Sequence, residues 1–298
     1  MKNVLIIGCG LLGSSLLRRI KKKKMAKKIY IYEKSKSNIA KIKKLKIPGI
    51  IVNKLQDGVI KSDLIILCTP MSEYKNLILK MNKFLSPKTV ITDIGSSKLE
   101  SSKIIKKFLR KDIIWISSHP IAGSEVSGPE HGKQDLFENK WCILIKEKKT
   151  NKDHLIFLNK FWKKIGSKIV SMTSEKHDKI FSITSHLPHL IAYNLVKSAQ
   201  DFEKKQNYDL IKYSAGGLRD FSRIAASNEI MWRDIFFNNK KNMSKAIDLF
   251  IKNLNSFKKD INSRNNKSIL QKLIKTKKVR SQIIKLRQDI NKPDFGRS

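Results

Sequence analysis

A glycine-rich turn near the start of the chain constrains the fold more than any other feature. It follows the apolar run Asn3–Ile7 and opens an amphipathic stretch. Its members are Gly8, Gly10, Leu11, Leu12 and Gly13. Between a strand and a helix, this spacing predicts a dinucleotide-binding turn. The first glycine permits the tight turn, the second lets the backbone approach a pyrophosphate, and the third allows close helix packing. A glycine turn with a purely structural role is the alternative.

An acidic residue stands where such a turn needs one. The pyrophosphate is expected at the helix N-terminus, where unpaired N–H groups and the helix dipole favour an anion. A second apolar run, Lys28–Tyr32, leads into Glu33, twenty residues after Gly13, a position suited to binding the adenosine ribose 2′-hydroxyl. Because a carboxylate repels a 2′-phosphate, Glu33 predicts NAD rather than NADP. Lys34 and Lys36 could offset this charge, so NADP stays open.

Hydrophobic periodicity divides the chain into two parts. β-branched runs in the first part predict strands at Asn3–Ile7, Lys28–Tyr32, Asp63–Cys68, Thr89–Asp93, Ile113–Ile116, Trp141–Ile145 and Lys168–Ser171. Helix-length stretches lie between them at Leu12–Lys24, Glu73–Leu85, Lys98–Leu109 and Lys152–Ile165. Later, apolar residues three and four apart predict helices at Ser174–Asp201, Asp220–Ala226, Glu229–Arg264 and Lys267–Gln288, with a frayed tail at Asn291–Ser298. We therefore expect an α/β Rossmann-type dinucleotide-binding domain with a mainly parallel sheet over residues 1–171, and an all-α domain over residues 172–298.

The charge of the chain is a weak guide to function. The sequence has 63 Lys and Arg against 25 Asp and Glu, a formal charge of +38. A nucleic-acid-binding protein is one hypothesis, but 53 of the basic residues are Lys and only 10 are Arg, and they are spread over all the predicted helices. Arg is the residue that grips phosphate bidentately. The Lys excess, together with abundant Ile and Asn, is typical of A+T-rich coding sequences, so no nucleic-acid partner is expected.

The cysteines and the apolar runs indicate the cellular compartment in which the protein is expected. Cys9, Cys68 and Cys142 are odd in number and far apart, which favours free thiols in a reducing cytoplasm over disulfides or a zinc site. No apolar run is long enough for a membrane span, so no membrane association is expected.

Several predicted strands end in residues that could do chemistry. In an open α/β sheet the ligand crevice lies at the carboxyl ends of the strands. Thr69 and Pro70 follow one strand, Ser96 another and His119 a third. Ser96 could be a helix N-cap instead. His119 lies in a segment that lacks Lys and Arg, which favours a general acid or base.

The helical part carries two further candidates. His186 and His189 are three residues apart, but no third ligand lies in register, so no metal is expected. Arg219 and Arg223 share one helix face, where like charges are unfavourable unless an anion or an acid such as Asp220 is near. An anion-binding Arg is the sharper hypothesis, and a solvated charged surface is the alternative.

Six segments together carry a family resemblance. They are Gly8–Ser14, Thr92–Lys98, His119–Gly128, Ser185–His189, Phe221–Ala225 and Met231–Asp234. In this order, over about residues 1–285, the chain resembles the prephenate and arogenate dehydrogenases (cyclohexadienyl dehydrogenases) of tyrosine biosynthesis. The resemblance implies oxidative decarboxylation of prephenate, arogenate or both, with hydride transfer to NAD⁺. It does not separate the two substrates.

The resemblance also implies residue roles. His119 would be the catalytic base and Ser96 the hydroxyl that orients the reacting pair. Substrate-binding positions by the same resemblance are His189, Arg223, Glu125, Asp220, Gly217 and Trp232, although Trp232 could equally pack in the core. As in such relatives, a cytoplasmic homodimer through the helical domain is expected. A β-hydroxyacid or imine oxidoreductase of similar architecture is the alternative enzyme, but the β-hydroxyacid enzymes generally use a catalytic Lys in their helical domain, where the motifs here carry His and Arg.

Overall fold

The computed structural model describes residues 3–206 and 209–286. Its strands are β1 (Asn3–Ile7), β2 (Lys28–Tyr32), β3 (Ile50–Ile51), β4 (Leu64–Leu67), β5 (Val90–Asp93), β6 (Ile114–Trp115), β7 (Ser118–Pro120), β8 (Trp141–Ile145) and β9 (Lys168–Met172). Its α-helices are α1 (Leu11–Lys22), α2 (Lys36–Lys44), α3 (Leu55–Val59), α4 (Tyr74–Met81), α5 (Leu99–Phe108), α6 (Lys152–Ile165), α7 (Ser174–Phe181), α8 (Leu187–Gln206), α9 (Gly216–Ala225), α10 (Glu229–Asn238), α11 (Lys240–Asn262) and α12 (Asn266–Lys285).

A six-stranded parallel sheet forms the centre of the N-terminal part. Its order is β3-β2-β1-β4-β5-β6, and every pairing in it is parallel. The strand order reverses between β1 and β4, so the carboxyl ends of these two strands open a crevice there. This topology, followed by helices α7–α12, confirms the prediction of a Rossmann-type domain and an all-α domain.

Local sequence signals explain where several helices begin. The side chains of Ser35, Asn151, Thr173 and Asn228 each accept a backbone N–H from the first turn of the helix that follows. Such caps satisfy N–H groups that have no partner inside the helix. Gly166, at φ +112°, ends α6 in the left-handed conformation that glycine adopts without strain.

A second, three-stranded sheet corrects the predicted strand arrangement. Trp141–Ile145 and Lys168–Met172 do not extend the large sheet, but form the order β7-β8-β9, with β7 antiparallel to β8. The Ser118 hydroxyl donates to the Asp93 carbonyl at 2.6 Å, which holds the start of β7 at the carboxyl end of β5. An apolar β-branched run fits either sheet, so the sequence pattern could not separate them.

The large sheet is buried on both faces. One core cluster joins β1 and α1 to Phe137 and Trp162, beneath the second sheet. The other contains Tyr74 of α4 together with Trp232 and Ile235 of α10, so it extends into the helical part. The backbone N–H of Ser72 also donates to Asp234 of α10 at 2.8 Å. The helical part is therefore anchored over the carboxyl edge of the sheet.

The predicted helix Ser174–Asp201 is interrupted by a π-helical turn at Ser182–His186, between α7 and α8. Pro188 follows at once. A proline has no N–H to donate to the carbonyl four residues earlier, and its ring crowds that carbonyl, which here belongs to Thr184. The wider turn accommodates this clash, and π-turns of this kind are frequent at functional sites.

The predicted helix Glu229–Arg264 is two helices, because Asn239 breaks it between α10 and α11. Asn239 is buried, and its side-chain amide donates to the carbonyl of Asp178 at 2.8 Å and lies 3.1 Å from Nδ1 of His186. The break therefore directs a polar side chain at two buried groups of the neighbouring helices. The apolar periodicity continues through it, which is why the pattern predicted one helix.

Smaller differences complete the comparison with the sequence. Helices α2 and α3 and strands β3 and β7 were not predicted, so His119 lies on a strand and not after one, and α9 begins at Gly216 rather than Asp220. The end of the predicted last helix and the predicted tail, Asn291–Ser298, lie outside the described residues. Among residues 3–206 and 209–286, no helix is long and apolar enough to cross a membrane.

Candidate active site

The glycine turn has the geometry of a dinucleotide site. Gly8 has φ +91°, and a Cβ there would lie 2.9 Å from the Cys68 carbonyl oxygen. A Cβ on Gly13 would lie 2.1 Å from the Gly8 carbonyl oxygen, whereas a Cβ on Gly10 would meet nothing within 4 Å. Gly10 is also the N-cap of α1 and supplies no side-chain cap. The first N–H groups of α1 are thus left for an anion, as the motif predicts.

Glu33 is fixed beside this turn. Its carboxylate accepts the backbone N–H groups of Cys9 at 2.8 Å and Ser35 at 2.9 Å. Lys34, which could have offset the charge, instead pairs with Glu73 at 2.6 Å. The acid therefore remains at the end of β2 with its negative charge next to the glycine turn, an arrangement that suits a free ribose hydroxyl better than a 2′-phosphate.

A cavity of about 960 Å³ connects the glycine turn to the helical part. It is lined by strand-end loops of the sheet, by the loop after β7 and by α8, α9 and α10. The predicted site residues that line it are Gly10, Leu11, Leu12, Thr69, Pro70, Ser96, His119, Glu125, His189, Arg223 and Trp232. Its volume suits a small ligand beside a cofactor ring.

Five predicted residues lie elsewhere. Gly8 and Gly13 form the base of the glycine turn, and Glu33 lies behind it. Gly217 and Asp220 are exposed on α9, outside the lining of the cavity. Their roles toward the substrate stay predictions.

His119 lies on β7, opposite Ile143 of β8, and only 8% of its surface is exposed. Its Nδ1 atom is 2.8 Å from Nε2 of His177, and Nδ1 of His177 is 2.8 Å from Oδ1 of Asp178. Burial, reinforced by the neighbouring His177 ring and the Lys98 ammonium group, holds the pKa of His119 well below 6.5. A buried, neutral imidazole on a cavity wall is suited to accept a proton.

His177 and Asp178 were not predicted from the sequence. They lie in Ser174–Phe181, a segment with alternating charges that is typical of a solvated helix. Both are fully buried, because α7 packs against the N-terminus of α5 and against β7. The hydrogen-bonding partner that the structure shows for the His119 side chain is therefore His177. Ser96 lies in the cavity wall, and its role in orienting the reacting pair stays a prediction.

A buried ion pair lies beneath His119. The ammonium group of Lys98 donates to Asp93 at 2.8 Å and to the Ser118 carbonyl at 2.6 Å, and both charged side chains are fully buried. Asp93 also accepts the hydroxyl groups of Tyr74 and Ser117. Burial lowers the pKa of Lys98, although Asp93 opposes that shift. The pair ties the end of β5 to the start of β7 and so fixes the strand that carries His119.

The opposite wall of the cavity carries the predicted anion ligands. Arg223 of α9 pairs with Glu125 at 3.1 Å, across 98 residues of sequence. His189 of α8 stacks on Trp232, with ring centroids 3.8 Å apart, and donates from Nδ1 to the Ser185 carbonyl at 3.0 Å. Trp232 is both a core residue and part of the lining, so its two predicted roles are compatible.

The two histidines that were weighed as metal ligands in the sequence, His186 and His189, have separate environments. His186 is buried beside Asn239, whereas His189 stacks on Trp232 at the cavity. In the described part of the chain, no group of three His, Cys, Asp or Glu residues could hold a metal ion.

Known proteins share both halves of this architecture. The profile of the prephenate dehydrogenase nucleotide-binding domain matches residues 16–171, and that of the prephenate dehydrogenase dimerization domain matches residues 173–276. A cyclohexadienyl dehydrogenase from Zymomonas mobilis is 33% identical over 94% of this chain and 95% of the relative. A prephenate dehydrogenase from Bacillus subtilis is 31% identical over 86% of this chain and 69% of the relative.

Solved structures also share the fold of this chain. A prephenate dehydrogenase from A. aeolicus, in complex with hydroxyphenyl propionate and NAD⁺, matches with a TM-score of 0.88 and 35% identity over 95% of this chain and 98% of the other. An arogenate dehydrogenase from Synechocystis, 21% identical with a TM-score of 0.76, shares the fold. From the site geometry and these matches, the chain belongs to the prephenate dehydrogenase family, as its motifs predicted.

Proposed function

We propose that this protein oxidatively decarboxylates prephenate, arogenate or both in tyrosine biosynthesis, with hydride transfer to NAD⁺. The observation that carries the proposal is the position of His119, a buried neutral base on the wall of the cavity that begins at the glycine turn. Membership of the family supports the reaction class.

The cofactor-binding residues fit NAD. Gly10 leaves space at the N-terminus of α1 for a pyrophosphate, and Glu33 is fixed where a ribose hydroxyl would bind. Thr69 and Pro70 continue this wall toward Ser96. Held by these residues, NAD⁺ would supply the acceptor for the hydride from the ring carbon that bears the substrate hydroxyl.

His119 removes the proton of that hydroxyl as its carbonyl develops. Because the imidazole is neutral, it can accept the proton without first losing one. Ser96, which lines the same cavity, orients the hydroxyl and His119 as a pair. The ring carboxylate leaves as CO₂ and the ring becomes aromatic.

Arg223 and His189 hold a substrate carboxylate at the other end of the cavity. Arg223 can bind it bidentately, and His189 presents Nε2, since its Nδ1 is bonded to Ser185. Glu125 keeps Arg223 in place, and Trp232 supports the His189 ring by stacking. We retain Asp220 and Gly217 as substrate-binding positions on the family resemblance alone.

Replacing Arg223 by Ala should raise KM for the substrate by about 10- to 100-fold with a smaller effect on kcat, because a charged hydrogen bond to a carboxylate contributes about 1.5–3 kcal/mol. Steady-state assays at saturating NAD⁺ measure this. Arg223→Lys keeps the charge without the bidentate fork and should give an intermediate KM. An unchanged KM in Arg223→Ala would refute the anchoring role.

Reduction of the cofactor by purified protein tests the reaction directly. Prephenate and arogenate are each assayed with NAD⁺ and with NADP⁺ by absorbance of the reduced nicotinamide. We expect turnover with at least one substrate and a higher kcat/KM with NAD⁺, because Glu33 repels a 2′-phosphate. Absence of turnover with both substrates would disprove the proposed reaction.

We propose a homodimer through the helical domain. Helices α11 and α12 expose large apolar side chains, including Leu249, Leu254, Ile261, Leu273 and Val279. The family profile of this region is described as a dimerization domain. Light scattering should give about twice the 34.4 kDa chain mass, and charged substitutions at Leu254 and Leu273 should shift it toward one chain. A single-chain mass for the unmodified protein would contradict this.

Two further assignments remain proposals. We propose residues 1–171 and 172–298 as the two domains, supported by the change from strands to helices after β9.

We also propose a cytoplasmic location, supported by the unpaired thiols of Cys9, Cys68 and Cys142. Fractionation of the native cells would test it.

A further inference from the structure

Three buried side chains form a line that ends at the cavity. Asp178 contacts His177, His177 contacts His119, and each contact measures 2.8 Å between the bonded atoms. His119 alone of the three lines the cavity. Asp178 and His177 belong to α7 of the helical part, whereas His119 lies on β7.

Asp178 is a carboxylate surrounded by donors. Its two oxygens accept the backbone N–H groups of Lys98 and Leu99, each at 2.8 Å, and the Ser97 hydroxyl at 3.2 Å. Burial alone would raise the pKa of Asp178, but the hydrogen bonds from His177 and these backbone groups hold it below its usual value. Asp178 is therefore ionised, and it caps α5, whose own N-cap residue supplies no side-chain cap.

The protons on both histidines follow from this charge. A carboxylate only accepts, so Nδ1 of His177 must carry a hydrogen. Burial lowers the pKa of His177, so the ring is neutral and its Nε2 is an acceptor. The atom facing that acceptor, Nδ1 of His119, must then be the donor. Nε2 of His119 is left with a lone pair.

We propose that His177 and Asp178 are positioning residues that hold His119 in the Nδ1–H tautomer, with Nε2 turned to the substrate hydroxyl. This inference rests on the proposed function. During turnover Nε2 of His119 accepts the hydroxyl proton, and Nδ1–H continues to donate to His177. The proton returns to solvent after the product leaves, so both partners end as they began.

The surroundings of the line are consistent with this role. The charged and titratable groups that act on the two histidines are Lys98, Asp93, His186 and Asp178. Lys98 disfavours an imidazolium at either ring, so the neutral form persists before substrate binds. Phe181 packs on both rings, with centroids 5.1 Å from His119 and 4.4 Å from His177, and limits their rotation.

Three variants test the line. His177→Phe keeps a flat ring but removes the acceptor, and it should lower kcat by about 10²–10³-fold with KM changed by less than about threefold, because a misoriented histidine base loses about this much or more. His177→Gln restores an acceptor and should recover at least about tenfold of that loss. Asp178→Asn removes the charge and should lower kcat similarly. Thermal melts report whether each variant is folded.

Histidine ¹⁵N chemical shifts give a readout that needs neither substrate nor cofactor. The chain has 6 histidines, so His119 can be assigned from the His119→Asn spectrum. The unliganded protein should show a protonated Nδ1 and an unprotonated Nε2 on His119, and His177→Phe should mix the tautomers. The half-buried His154, bonded to Asn151, supplies the control His154→Asn, which should remove only its own signals and leave the His119 signals and kcat unchanged.

The outcomes separate the two proposals. A protonated Nε2 on His119 in the unmodified protein, or a fall in kcat of less than about tenfold in a folded His177→Phe, would overturn the positioning role. A loss carried by KM instead of kcat would also overturn it. If neither prephenate nor arogenate is turned over, the proposed reaction fails, while the tautomer measurement still decides the state of His119.

Discussion

Replacing His119 by Asn is expected to lower kcat by about 10²–10⁴-fold, while KM for the substrate changes little. The side chain sits on β7 with its Nδ1 edge bonded to His177, so its remaining ring nitrogen is the atom available at the cavity. Asn can accept a hydrogen bond but cannot take up a proton at neutral pH. The loss should therefore fall on the proton-transfer step.

Steady-state kinetics with NAD⁺ and the preferred substrate measure the effect. Affinity for NAD⁺, followed by quenching of protein fluorescence, should be retained, because the cofactor contacts lie at the glycine turn. The control is His154→Asn on α6, outside the cavity lining, which should behave as the unmodified protein. Turnover of His119→Asn within about threefold of the unmodified protein would remove His119 from the mechanism.

The pH dependence of kcat/KM offers a second check on the same group. A general base works only when neutral, so activity falls as pH falls through its pKa. Because burial holds the pKa of His119 well below 6.5, this decline should begin below that pH.

The cofactor half of the site was predictable because its determinants are local. Gly8, Gly10 and Gly13 act within one turn, and Glu33 follows one helix and one strand later. Gly8 and Gly13 have the close contacts and Gly10 the open space that such a turn needs, and Glu33 is fixed beside it, while their contact with a cofactor stays a prediction. The catalytic candidate His119 was also identified, because it follows the predicted strand Ile113–Ile116 at the expected crevice, although the structure has it on β7 of the second sheet.

The rest of the site depends on contacts between distant segments. Glu125 and Arg223 meet across 98 residues, and His119 and His177 across 58. His177 and Asp178 lie in a helix whose charges resemble those of an exposed surface, because the groups that bury them come from another domain. Neither periodicity nor propensity contains that information.

Two single residues also explain features that apolar periodicity missed. Pro188 forces the π-turn that precedes α8, and Asn239 separates α10 from α11 to reach Asp178 and His186. Both lie beside the site. Local preference and global fold disagree most often at functional positions, where structure serves chemistry as well as stability.

Below about pH 6.5 the protein should lose stability steeply, because three buried histidines are neutral when folded. Burial lowers the pKa of His119, His177 and His186, in the last case from 6.5 to about 4. His186 also accepts an amide N–H of Asn239 at Nδ1, a contact that protonation would break. Below pH 6.5 these histidines bind protons in the unfolded chain but stay unprotonated in the folded protein. Their full contribution to the free energy of unfolding is therefore present above that pH, and it declines as pH falls toward the folded pKa values.

A histidine that binds a proton only in the unfolded chain contributes a slope of about 1.4 kcal/mol per pH unit, so His119 and His186 together should lower the free energy of unfolding by about 3–4 kcal/mol between about pH 7 and pH 5, and His177 adds to the fall in the same direction. That is a large part of the roughly 5–15 kcal/mol by which folded domains are stable. Urea unfolding followed by fluorescence of the 4 tryptophans, at constant ionic strength, measures it. His186→Gln should remove between about one third and one half of the slope. Leu158→Ala, in the core away from these histidines, should lower stability by about 2–5 kcal/mol at every pH and leave the slope unchanged. A flat profile between these pH values would show that the three rings titrate alike in the folded and unfolded chains.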